Sequence, residues 1–242
     1  MLEGLKRWFG KAPATAAPGA EELLPWVESH QYSFRGVPDE GFVIDGRLGP
    51  TPWRLEWGPS QRPYVPGQEL RLRAELGLPS ELQMVVMNRQ LQEQMEKDVF
   101  EQYVEGVKTR IDNQTPPEMR WLVMFPKLAG TEMGALREGF VALGSRKAWL
   151  QHWLQGPLTA ALVARHLPAS TPVVLMIGRG RLMLRTALAE PELRALQDWL
   201  RLFEAAMREA QRVASEDPDS VAPSTQTSAW QASALPDDEA KP

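Results

Sequence analysis

Residues 173–177 read Val-Val-Leu-Met-Ile, five apolar side chains without a break. Gly178-Arg179-Gly180 follows, and then a second run begins at Arg181 and ends at Ala187. An uninterrupted apolar strand belongs in the middle of a sheet. The Gly-Arg-Gly step supplies the tight turn of a hairpin, so the expected pairing is antiparallel. Upstream, Phe140–Val141–Ala142–Leu143 reads as another apolar strand, and Ser145 is the expected N-cap of the helix behind it. That helix carries a stripe of Leu150, Trp153, Leu154, Leu158, Ala161 and Leu162. It is interrupted by Gly156-Pro157, which predicts a kink or two abutting helices.

Further strands are expected at 32–37, 41–45, 53–57 and 69–75, separated by Pro and Gly clusters. Trp53, Leu55 and Trp57 alternate with Arg54 and Glu56, and Leu70 and Leu72 alternate with Arg71 and Arg73. Such alternation describes an antiparallel meander with one solvated face. Residues 84–87 form another apolar strand, with Asn88 as the expected cap of a helix bearing Leu91, Met95, Val99 and Tyr103. Residues 107–118 are expected to be loop and 121–125 a strand. The two strand-then-helix segments, 84–89 and 140–146, each place an arginine in the first helical turn. With the strand-like segments before them they suggest a weak internal β–β–α duplication.

The last helix has Pro191 at its start and apolar residues at Leu193, Leu196, Leu200, Phe203, Met207 and Ala210. That spacing fits a helix lying on the sheet, and it also fits a seam for a partner helix. The fold class is therefore α+β: a mostly antiparallel sheet covered by about three longer helices. Residues 21–213 are expected to form one body, with candidate halves 21–106 and 119–213.

Composition excludes more than it identifies. The 242 residues are 43% apolar and 24% charged, an ordinary globular balance. Cysteine is absent, which removes disulfides, thiolate metal sites and cysteine nucleophiles. The net charge is −4, yet residues 214–242 hold six acids and one lysine; the remaining 213 residues therefore sum to +1. No basic domain for nucleic acid is indicated, and the acidic tail after 213 has a disordered composition. Residues 1–20 open with Leu2, Leu5, Trp8 and Phe9 among three cations, followed by a Pro/Ala linker. At helical spacing those four side chains would anchor the chain to a membrane surface or a partner; the plainer alternative is a frayed terminus.

No catalytic or metal motif is legible. The three histidines, His30, His152 and His166, lack ligand spacing, so no metal and no cofactor are expected. Gly178-Arg179-Gly180 lacks both the third glycine and the following helix of a dinucleotide fingerprint. Positive charge is the one feature that hints at a ligand: residues 137–185 hold seven Arg or Lys against Glu138 alone. Arg89, Arg146, Lys147, Arg179, Arg181 and Arg185 are the candidate set for an anion or an acidic partner.

The expected function is that of a non-enzymatic cytoplasmic adaptor that binds another protein, peripheral at a membrane through residues 1–11. The alternatives are an enzyme or small-ligand binder for an anionic compound, and a structural subunit assembled through the seam at Leu193, Leu196, Leu200, Phe203 and Met207.

Overall fold

The computed structural model describes residues 20–37, 40–104 and 115–216. In chain order these form α1 (Ala20–Ser29), β1 (Ser33–Val37), β2 (Gly41–Leu48), β3 (Thr51–Pro59), β4 (Gln68–Glu75), β5 (Met84–Asn88) and α2 (Arg89–Val104). After the second gap come α3 (Pro117–Met124), α4 (Gly130–Met133), β6 (Phe140–Gly144), α5 (Lys147–Trp153), α6 (Pro157–Ala164), β7 (Val173–Gly178), β8 (Arg181–Ala187) and α7 (Leu193–Glu216).

The strands make one eight-stranded sheet in the order β1-β2-β3-β4-β8-β7-β5-β6. Every pairing is antiparallel. The fold is thus α+β, as the alternation implies. The candidate halves interleave, because β8 and β7 lie between β4 and β5. At the β7–β8 turn Gly178 pairs with Arg181. Arg179 and Gly180 both have positive φ, 53° and 76°, the backbone of a type I′ hairpin.

Side-chain alternation builds two cores. Val173, Leu175 and Ile177 join a large cluster with α1, α5, α6 and α7, while Val174 and Met176 face a smaller cluster with α2 and α3. Being covered on both faces is why β7 reads as an unbroken apolar run. The smaller cluster lies over β5, β6 and β7, with Met183 of β8 packed against it. On that side α2 contributes Leu91 and Met95, and α3 contributes Met119, Trp121 and Leu122. No residue of β1 to β4 belongs to it, so this half of the sheet is apolar on one face only.

The α7 stripe lies on the large cluster. Leu196, Phe203, Met207 and Ala210 are fully buried, Leu200 is 4% exposed, and Leu193 is half-buried against them. The side chains offered as a partner seam are therefore occupied within the chain itself. Trp153 donates from Nε1 to the carbonyl of Ala206 at 3.0 Å. Arg165 sits 4.0 Å above the Trp199 ring and 3.4 Å from Asp198, a cation–π contact that fastens α6 to α7. The seven tryptophans among the described residues are all buried.

Four expectations are corrected. The segment expected as a strand at 121–125 belongs instead to helix α3, with Pro117 at its first turn and Glu118 beside it. Four consecutive apolar residues do not distinguish strand from helix, and the Pro-Pro step decides for a helix start. Consequently the β–β–α unit does not recur, because the second copy has a helix where its first strand should be. Ser145 does not cap α5, which has Arg146 at the cap position and no side-chain cap bond. Its hydroxyl instead donates to the carbonyl of Glu81 at 2.9 Å and accepts from the amide of Gln83 at 3.0 Å. Asn88, expected as a cap, ends β5 and secures the entry to β7. It donates to Ala169 at 2.8 Å and accepts from the amide of Val173 at 2.9 Å. The long helix broken at Gly156-Pro157 is two helices, α5 and α6, as the dipeptide implies. Leu2, Leu5, Trp8 and Phe9, and the tail beyond 216, lie outside the described residues.

Candidate functional site

The basic residues singled out by sequence do not form one site. Met84 pairs with Gly144 and Asn88 with Phe140, so Arg89 and Arg146 leave opposite ends of the β5–β6 pair. About 14 Å of strand separates them. Arg89 donates to the carbonyl of Arg137; Arg146 is half-buried at the far end. Lys147 pairs with Glu132 at 2.8 Å, whose carboxyl is held below its ordinary range first by that bond and then by the amide of Ala129. Arg179 is exposed in the hairpin turn.

Arg185 does meet other cations, and Arg181 lies further along the same strand opposite Glu75. Both lie on the face of β8 that carries Met183, which packs on the smaller core, and along this face strand register sets arginines side by side. Arg54 lies opposite Arg73, and Arg71 lies opposite Arg185. Like charges opposite one another destabilise a sheet unless counter-charges intervene. Here Asp45 takes Arg54 at 2.5 Å. Glu56 bridges Arg71 at 3.2 Å and Arg73 at 3.3 Å. Glu69 holds Arg185 at 2.6 Å and Arg71 at 3.4 Å. Arg181 pairs with Glu75 at 2.6 Å. Sequence reasoning placed Arg54, Arg71 and Arg73 on a solvated face but did not join them to Arg185, because the β4–β8 pairing spans more than a hundred residues.

One end of this ladder is buried under the loop between β3 and β4. Glu69 is fully buried, accepts from the amide of Gln61 at 2.9 Å, and is the partner of the nearly buried Arg185. Alongside, the fully buried Glu118 of α3 accepts from Arg62 Nε at 2.7 Å and from the Tyr64 hydroxyl. Burial, and then the charge of Glu118, push the Tyr64 phenol well above its ordinary value. These bonds tie the loop to α3 and position that helix on the sheet.

Two other features stand out. A cavity of about 390 Å³ opens at the start of α2, with Arg89, Leu136, Leu162, His166 and Val173 among its lining residues. His166 has φ 41°, a left-handed backbone uncommon for residues other than glycine. On the outside of the α2–α3 layer, Phe100 is 68%, Val123 58% and Met124 62% exposed. Lys127 Nζ bonds Glu96 at 2.5 Å, which brings the end of α3 against the middle of α2. Phe100 stands one helical turn beyond Glu96 on the same side. Val99 and Phe125, the sequence neighbours of Phe100 and Met124, are half-buried against the smaller core.

Among the described residues no group of three or more His, Asp or Glu is placed to hold a metal ion. No helix there is long and apolar enough to cross a membrane.

No protein-family model matches the chain, and no curated protein matches it significantly. Among solved structures, the mycobacterial trehalose monomycolate transport factor A, TtfA, is similar at 10% identity and a TM-score of 0.40, over 78% of this chain and 90% of that one. A likeness at that level carries no argument about what this chain does.

Proposed function

We propose that this chain is a non-enzymatic adaptor that docks another protein on the rim formed by α2 and α3. On this reading it works on the cytoplasmic side, with Leu2, Leu5, Trp8 and Phe9 as a peripheral anchor at a membrane surface. The observation that carries the proposal is the exposure of Phe100 on α2 and of Val123 and Met124 on α3, two helices that cover the same core. Burying a side chain of this kind is worth about 1.5–3 kcal/mol, and adjoining apolar groups left in water mark an interaction surface. The partner that fits is an apolar helix face or groove, since aromatic and methionine side chains are preferred anchors in such contacts.

A Phe100→Glu, Met124→Glu double variant tests this. Both positions are exposed, so thermal stability should change by no more than a few degrees. Tagged in its own host, the wild-type chain should recover a defined partner that the double variant fails to recover. Equal recovery by a folded double variant would remove this rim from the interface.

A further inference from the structure

We propose that the arginine ladder on β3, β4 and β8 is a binding site for a single oxyanion group, a carboxylate or phosphate. It lies on the same face of the sheet as α2 and α3 but uses none of the apolar rim residues. A cavity of about 80 Å³ lies on the ladder, lined by Arg71, Arg73, Arg185, Glu56, Gln61 and Met183. Three guanidinium groups and one carboxylate line it, so its walls carry a charge of +2. Arg185 is 9% exposed, and its Nε is buried with no acceptor, although its Nη1 is held by Glu69. A buried donor of a charged group without a partner is costly, and a guanidinium presents a planar fork suited to two oxygens. Arg73 stands diagonally across from Arg185 on the neighbouring strand, its side chain 51% exposed and held by Glu56 at 3.3 Å. The ladder has five arginines, Arg54, Arg71, Arg73, Arg181 and Arg185, against Asp45, Glu56, Glu69 and Glu75, one negative charge short. An oxyanion in the cavity supplies that charge and an acceptor for Arg185 Nε.

Two sources offer this chemistry: a small free anion, and the carboxylates of residues 214–242, which hold six acids and one lysine. The full chain labelled with ¹⁵N-arginine separates them by the Nε–H signals of Arg73 and Arg185. Titration with inorganic phosphate at constant ionic strength should move both signals along one saturable curve, and chloride should not. Arg73→Gln should weaken the phosphate affinity about tenfold or more, while Arg181→Gln, outside the cavity, should leave it unchanged. If the same two signals move when residues 217–242 are removed, without phosphate, the oxyanion belongs to the chain's own tail. Signals unmoved in both arms, or an Arg73→Gln chain that titrates like wild type, would overturn the proposal.

Discussion

Phe203→Glu and Leu200→Glu chains are expected to be unfolded at 25 °C, losing their near-ultraviolet circular dichroism and any cooperative thermal transition. Phe203 is fully buried and Leu200 is 4% exposed, both within the large core beneath α7. Truncating a buried phenylalanine costs about 3–5 kcal/mol, and an unpaired buried carboxylate adds several more. A domain holds only about 5–15 kcal/mol in total, so the sum exceeds or exhausts its stability. The same variants distinguish the two readings of the α7 stripe. Were Leu193, Leu196, Leu200, Phe203 and Met207 a seam between chains, Leu200→Glu would give a folded monomer in place of an oligomer.

The second large effect belongs to Glu69. Its carboxylate is fully buried and takes Arg185 at 2.6 Å, the amide of Gln61 at 2.9 Å and Arg71 at 3.4 Å. Glu69→Ala leaves the guanidinium of Arg185 buried without its partner, which costs about 3–5 kcal/mol. For a chain of this size that lowers Tm by roughly 6–20 °C. Replacing both partners, Glu69→Leu with Arg185→Met, should recover much of the loss, since a buried ion pair exchanged for apolar groups is often close to neutral. A Glu69→Ala chain that melts within two degrees of wild type would show that the pair is not buried as described.

Local pattern made the meander, the central hairpin and the α7 helix legible. Trp53, Leu55 and Trp57 alternate with charges because one face of β3 is buried and the other is not, and the structure keeps that alternation. What local pattern could not supply was pairing. Arg54, Arg71 and Arg73 were readable as solvated, but their union with Arg185 follows from β4 lying beside β8. Arg89 and Arg146 look equivalent in sequence, each just after an apolar strand, yet antiparallel pairing of those strands sends them to opposite ends. Residues 121–125 failed for a different reason, since a short apolar run carries no period of its own. Ser145 and Asn88 failed because tertiary partners, the Glu81–Gln83 segment and the Ala169–Val173 segment, took the hydrogen bonds that a helix start would have used. Glu118 gave no signal at all. Its role appears only when α3 is set against the loop that carries Arg62 and Tyr64.

The proposal that α2 and α3 form the partner surface is tested most directly by photocrosslinking from single positions of the full chain in living host cells. A photoreactive residue at Val123, on the rim, is compared with one at Arg201, whose side chain is 69% exposed on α7. The expected result is one discrete adduct from position 123, lost when Phe100→Glu is added, and none from position 201. An adduct from 201 with nothing from 123 would contradict the account and move the interface to the opposite side of the sheet.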